Sequence, residues 1–277
     1  MRNPDAVRRA HGIPVMLVLM MAPGISGAQT DYFNTDRGRP LHVQDATAIE
    51  RYAFELQAAP LRWSRSAGAR VLWSVEPELA YGLLPRTQLE VGIPVLVAEG
   101  FHGGRKWGVG AVHLSVLHAL NVETLGWPAL AVNAAVAIPA GDFGPQRSYA
   151  TVGALATRTT SFGRLHVNVD ATPGPVLPDA DDGPGLHDLS RWTAGVAVDR
   201  ALPLRSLLVG AELVAQRPLH DDSEVEWRAA TGVRWQVSPS WAFDAGVGRS
   251  FGDDREWSLT FGAARAFGLL KLFPVSR

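Results

Sequence analysis

In residues 224–267, apolar side chains recur at every second position through three consecutive segments. The first segment has a polar row and an opposing, largely apolar row, which consists of Trp227, Ala229, Thr231, Val233 and Trp235. The same division returns after turns at 237–240 and 252–254. A two-residue period is that of a β-strand, and consecutive strands joined by short turns pair antiparallel. The sequence therefore predicts an antiparallel sheet in this region.

The aromatic residues indicate what the apolar face contacts, because a soluble sandwich would show the same alternation. Trp227 and Trp235 lie on one face eight residues apart, and Trp73 and Tyr81 repeat this spacing. At roughly 3.3 Å per residue and a tilt of about 40°, the separation projects to about 20 Å, near the ~25 Å apolar band of membrane barrels. We expect these four residues at the two membrane boundaries, with the apolar row facing lipid.

The alternation continues along the chain and predicts about twelve strands between residues 48 and 267. Short turns on one side and longer loops on the other are typical of bacterial outer-membrane barrels. Pro77 and Pro94 fall inside predicted strands and indicate local bulges. The predicted fold is all-β, a transmembrane antiparallel up-and-down β-barrel.

The N-terminal region reads as a secretory signal peptide over residues 1–28. Arg8 and Arg9 precede an apolar run at 13–22, and Ser26 and Ala28 supply the small residues of a cleavage site. We expect a periplasmic lead-in over 29–47, the barrel over 48–267 and a C-terminal tail over 268–277. After cleavage, the protein would reside in the outer membrane of a Gram-negative bacterium.

Composition excludes several functional classes. The net charge is −1, which does not suit nucleic-acid binding, and the absence of cysteine removes disulfides, thiol catalysis and cysteine-based zinc sites. The expected partners are outer-membrane lipid, a small solute and the barrel-assembly machinery. We expect no cofactor, no metal and no nucleic acid.

Several motifs carry a resemblance to known barrels. Residues 260–267 resemble the terminal β-signal of bacterial outer-membrane proteins, with Arg265 as a departure. The segments at 78–83, 88–92, 107–110 and 137–141 resemble those of the outer-membrane barrel family named for the MetA pathway of phenol degradation, which often has Asp where this chain has Ala111. The resemblance implies a porin-like transporter for passage of small solutes, with aromatic or hydrophobic compounds among the candidates.

Two alternatives involve chemistry in the barrel. His113 and Ser115 have the spacing found in outer-membrane lipid hydrolases, and Asn133 lies on the next predicted strand. The alternation, however, points His113 and Ser115 into the lumen, away from acyl chains. His166, Asn168 and Asp170 share one face, as metal ligands would, but this is also the ordinary spacing of a polar row. We therefore predict a channel and no enzyme, with a lipid hydrolase or a closed structural barrel as the alternative.

The alternation also predicts the side chains that line the pore. They are Arg51, Glu55, Glu76, Glu78, Glu90, His113, Arg164, His166, Asn168, Asp170, Asp199, Glu212, Glu226, Arg228, Arg234 and Asp244. Acidic residues outnumber basic ones in this set, and twelve strands leave only a narrow path, so we predict a preference for neutral or cationic solutes. The sequence leaves open whether a loop or the lead-in fills the pore.

Overall fold

The computed structural model describes residues 35–66, 70–100, 104–174, 189–203, 206–219, 224–252 and 255–268. The predicted signal peptide, most of the loop at 172–190 and the tail after residue 268 lie outside them. Across these described ranges, no helix is long and apolar enough to cross a membrane.

The described chain forms fourteen β-segments, and two pairs of these segments are each the halves of one interrupted strand. The resulting twelve strands are β1 Ala53–Ser66, β2 Val71–Leu84, β3 Thr87–Gly92 with Val95–Glu99, β4 Lys106–Val109 with Ala111–Ala119, β5 Ala129–Pro139, β6 Tyr149–Thr159, β7 Arg164–Thr172, β8 Arg191–Leu202, β9 Leu207–Pro218, β10 Glu226–Ser238, β11 Trp241–Phe251 and β12 Glu256–Gly268.

Each strand pairs antiparallel with its neighbours in sequence, and β1 also pairs with β12. The sheet is therefore closed into a barrel, which leaves it without an unpaired edge strand. This confirms the predicted fold class and the number of strands.

Two irregularities in the first three strands lie beside proline residues. The β1 register shifts beside Pro77, because Ala58 faces Pro77 whereas Leu61 faces Val75. Strand β3 is interrupted next to Pro94, as predicted from sequence. The bulge in β1 has a consequence for the lumen: it changes which residues face inward, so that Arg62 joins the inward row.

The distribution of polarity is the reverse of that in a soluble protein. On β7, Val169 is 51% exposed on the outer face, whereas His166 on the inner face is 1% exposed. The same pattern recurs around the barrel, with apolar side chains outside and polar side chains buried in the lumen. Exposed apolar rows on consecutive strands are suited to lipid, and buried polar rows require partners inside.

Aromatic side chains gather near both ends of the outer surface. We call the end with the start of β1 and the end of β12 the terminus end, and the opposite end the loop end. The loop end carries Trp63, Trp73, Trp227, Phe251 and Trp257, and the terminus end carries Phe54, Tyr81, Trp235, Trp241, Phe243 and Phe267. The four aromatics named from sequence are divided between these two groups as predicted.

The described part of the predicted lead-in occupies a different place from the one expected. Residues 35–47 lie inside the barrel, whereas we expected them in the periplasm. The physical reason is that their charged and backbone groups pair with the polar inner rows, as described next.

Candidate functional site

A segment that we call the plug, residues 35–50, runs through the lumen from the terminus end. It folds back on itself, since the Asp45 amide donates to the Thr35 carbonyl at 3.2 Å and the Gly38 amide to the Leu41 carbonyl at 2.7 Å. Gly38 has a φ of 85°, which glycine adopts without a steric penalty. The plug is therefore a compact turn and not an extended strand.

The barrel wall satisfies the plug backbone with side chains. Glu212 on β9 accepts the amides of His42 at 2.6 Å and Val43 at 2.9 Å. Asn168 on β7 accepts the Gln44 amide at 2.8 Å and donates to the Gln44 carbonyl at 2.9 Å. These three plug amides are therefore paired with side chains of the inward polar row.

Two further side chains bind the plug nearer the terminus end. Thr157 on β6 accepts the Ala46 amide at 2.9 Å, and Gln88 on β3 accepts the Ile49 amide at 2.8 Å. The plug is thus hydrogen-bonded to strands on different sides of the lumen.

Arg39 is the centre of a buried ion cluster. Its guanidinium is 0% exposed and contacts the carboxylates of Asp36 at 2.5 Å, Glu55 at 3.0 Å and Asp244 at 3.8 Å. Arg234 on β10 contacts Asp36 at 2.9 Å and Glu55 at 3.6 Å. Two cations and three carboxylates from the plug, β1, β10 and β11 therefore compensate one another in the lumen.

A second ion cluster contacts the C-terminal part of the plug through Asp45. Arg164 on β7 reaches Asp199 at 2.6 Å and the plug residue Asp45 at 3.3 Å. His166 is bonded to Asp199 at 3.0 Å and to the Thr157 hydroxyl at 3.0 Å.

Small barrel residues make room for the apolar part of the plug. Leu41 and Val43 are buried against Ala197 and Val214. A Cβ atom added at Gly232 would come within 2.5 Å of Pro40 Cγ, so a larger residue there would displace the plug. Glycine at this position is required by the close approach of the plug.

A cavity of about 210 Å³ lies between the barrel wall and the plug residues Arg37, His42 and Val43. Arg37 of the plug borders it and forms an ion pair with Asp170 at 2.8 Å. The cavity has walls from both the plug and the barrel, and the polar wall residues include His42, Asn168, Thr193, Gln216, Glu226, Arg228 and Ser250.

Three glutamates on β2 and β3 form an acidic patch in the lumen. Glu76 is bonded to His113 at 2.6 Å, Glu90 accepts the Ser115 hydroxyl at 2.8 Å, and Glu78 lies beside Gly92, the strand partner of His113. His113 and Ser115 are therefore bonded to different glutamates, an arrangement that does not assemble a hydrolase dyad.

The other side chains considered for a hydrolase or a metal site also make structural contacts. Asn133 donates to Asp170 at 3.1 Å and is paired in register with Leu117, not with Ser115. His166, Asn168 and Asp170 are each engaged by Asp199, Gln44 and Arg37, respectively. In the described part of the chain, no group of three or more His, Asp or Glu residues could hold a metal ion.

Of the residues predicted to line the pore, one lies elsewhere. Arg51 precedes β1, is exposed at the terminus end and stacks over the Tyr52 ring at 4.4 Å. The cause is that β1 begins at Ala53, later than predicted. The others lie on the lumen side: Glu55, Glu76, Glu78, Glu90, His113, Arg164, His166, Asn168, Asp170, Asp199, Glu212, Glu226, Arg228, Arg234 and Asp244.

The sequence reasoning missed the plug residues Asp36, Arg37, Arg39 and Asp45. The presence of both acidic and basic residues in this segment was the available signal, because their charges complement those predicted inside the barrel. It also missed Arg62, whose inward position depends on the bulge in β1.

Comparison of the sequence with protein families and with curated proteins finds no match. Among solved structures, an outer membrane channel from Pseudomonas putida F1 is similar, with a TM-score of 0.56 and 16% identity over 84% of this chain and 100% of that chain. The CymD monoaromatic hydrocarbon channel has a TM-score of 0.46 and 6% identity over 79% of this chain and 89% of its own. The KdgM porin in complex with oligogalacturonate has a TM-score of 0.45 and 9% identity over 77% and 98%. The first likeness establishes the fold of an outer-membrane barrel, and the other two are too distant to bear on function.

Proposed function

We propose that this chain is an outer-membrane channel for passive movement of small solutes, and that the plug closes its lumen. The observation that carries the proposal is the polar interface between the plug and the barrel. Twelve strands enclose more space than their own side chains fill, and here a separate segment fills it through ion pairs and hydrogen bonds. Such an interface is reversible, because water can replace the same contacts when the segment leaves.

The polar lumen also separates this proposal from a closed structural barrel. Replacement of buried ion pairs by packed apolar residues is often neutral or stabilising, so the Arg39 and Arg164 clusters are a poor means of filling a barrel permanently. They suit a segment that must bind in one register and be able to leave.

The solute class follows from two lines of support. The sequence resemblance to the MetA-pathway barrels suggests aromatic or hydrophobic compounds. The acidic patch of Glu76, Glu78 and Glu90 supports a preference for neutral or cationic solutes over anions, because charges that line a narrow path are weakly screened.

The location and orientation are part of the same proposal. The barrel would be assembled into the outer membrane by the barrel-assembly machinery after removal of residues 1–28. The terminus end, with short turns at 85–86 and 239–240, would face the periplasm, and the loop end, with the connections at 140–148 and 173–190, would face outward. The plug then enters from the periplasmic side.

A disulfide lock tests whether the plug controls passage. A Cβ atom at Gly195 would lie 2.6 Å from Val43 Cγ2, so the two Cβ positions are within about 4 Å of each other, which a disulfide can bridge. The chain has no cysteine of its own, so a Val43→Cys/Gly195→Cys variant would contain only this pair. We expect low conductance in planar bilayers when the pair is oxidised and higher conductance after reduction.

Two controls complete this test. The single variants Val43→Cys and Gly195→Cys should show no response to reductant. A barrel that lacks residues 35–47 should conduct continuously. If that deleted barrel folds but does not conduct, it is a closed structural barrel and the channel proposal is wrong.

A further inference from the structure

The outer surface carries a second cleft, which is separate from the lumen. It lies at the loop end, where β1 meets β12, and has a volume of about 600 Å³. Its walls are formed mainly by Trp63, Arg65, Ser66, Arg255, Trp257 and Leu259. Trp63 and Trp257 belong to the aromatic group at this end of the barrel, so the cleft lies at the level of the expected membrane boundary.

Arginine side chains surround Trp257 on the outer face. Arg65 on β1 and Arg249 on β11 are its partners in register on the two neighbouring strands. The Arg249 guanidinium carbon lies 5.0 Å from the Trp257 ring centre and 5.4 Å from that of Phe251, which are cation–π distances. Arg255 is two residues before Trp257 and is exposed on the same side of β12.

These three arginines lack anionic partners in the described ranges. None of Arg65, Arg249 and Arg255 is within ion-pair distance of a described carboxylate, and Arg249 Nε is buried without a hydrogen-bond partner. The neighbouring Glu256 does not compensate them, because it is on the inward row of β12 and engages Ser64. Within the part of the chain that the structure describes, the cleft is therefore a cationic site without a carboxylate partner, next to an apolar surface.

The environment restricts the ligand that such a site would take. Charged side chains on the lipid face are costly at the centre of a bilayer and tolerated near its interfaces, where tryptophan is also enriched. Headgroup phosphates lie at that level, and arginine binds phosphate through two parallel hydrogen bonds. Below the cleft, the exposed side chains of Leu61, Leu259 and Phe261 continue as an apolar surface suited to acyl chains.

We propose that this cleft binds the phosphate groups of a phosphorylated glycolipid of the outer leaflet, that is, lipid A. The three arginines would hold the phosphates, and the row below would contact the acyl chains. The inference goes beyond solute passage and rests only on the outer-membrane location and orientation in the proposed function.

Native mass spectrometry of the complete, detergent-solubilised barrel tests this proposal. The probes are diphosphorylated lipid A, lipid A without phosphates, and inorganic phosphate. We expect retention of diphosphorylated lipid A at roughly tenfold lower concentration than of the dephosphorylated form, since charge-assisted hydrogen bonds are about twice as strong as neutral ones. An Arg65→Gln/Arg249→Gln/Arg255→Gln variant should lose this difference.

The chain offers a matched control at the opposite end. Arg265 lies 5.5 Å from the Trp241 ring centre, so Arg265→Gln removes an equivalent cation–π pair near the other boundary. This variant should retain lipid A as the unaltered barrel does. Equal binding of the two lipid A forms, or equal loss in the Arg265→Gln control, would overturn the proposal. Binding of inorganic phosphate without lipid A would overturn it as well, because it would show a phosphate site that does not select a lipid.

The two proposals can fail separately. The triple variant should keep the conductance of the unaltered barrel, because its three side chains lie outside the lumen. Folding of the variant is checked by its heat-modifiable mobility on gels, so a lost lipid signal from an unfolded barrel can be recognised and repeated with Arg249→Gln alone.

Discussion

Replacement of Arg39 by Gln should release the plug while leaving the barrel folded. Arg39 is fully buried, and removal of one partner from a buried ion pair costs about 3–5 kcal/mol. Arg234 remains close to Asp36 and Glu55, so these two carboxylates keep one cation and the lower end, about 3 kcal/mol, applies. At about 1.4 kcal/mol per factor of ten, the ratio of released to docked plug should rise roughly 100-fold.

The measurement is the open fraction of single channels in planar bilayers. Arg37→Gln is the matched control on the same segment, because the Arg37 side chain is 42% exposed and its pair with Asp170 is worth at most about 1 kcal/mol after solvent screening. Arg37→Gln should therefore change the open fraction by less than about fivefold. Heat-modifiable gel mobility verifies that both barrels are folded. If Arg39→Gln channels open no more often than Arg37→Gln channels, the buried cluster does not hold the plug.

Four further results are expected. Gly232→Val should raise the open fraction, because its side chain would occupy the space of Pro40, whereas Gly126→Val, which has open space around it, should not. In the barrel that lacks residues 35–47, Glu76→Gln/Glu78→Gln should lower cation preference in reversal-potential measurements in a salt gradient; an unchanged potential would show that these carboxylates do not govern passage. Val167→Arg on the outer face should destabilise the membrane-inserted barrel by about 2–4 kcal/mol in urea unfolding, and Val122→Arg in the 120–128 connection by much less. A tag inserted at Asp181 should be accessible on intact cells, and one at Gly126 only after permeabilisation; the reverse result would invert the orientation.

The local sequence determined which residues of the barrel wall face inward and outward, because the two-residue period of a strand can be read from the order of the residues. On β7 the alternation of Arg164, His166, Asn168 and Asp170 with apolar residues identified both faces, and the structure places these four residues inside. The same reasoning failed where the period is interrupted. The bulge in β1 shifts the parity between Gln57 and Leu61, so Arg62 faces inward although simple alternation did not identify it.

The position of the plug was decided by tertiary structure alone. Residues 35–50 have no period, so alternation cannot distinguish a periplasmic linker from a segment inside the barrel. Its contacts join residues far apart in the chain, such as Arg39 with Asp244 and Val43 with Glu212, so they depend on the tertiary structure of the barrel. Alternation could show that the lumen is polar. Only the closed barrel brings these carboxylates around one segment. The segment lies there because a buried charge is stable only beside a partner of opposite charge.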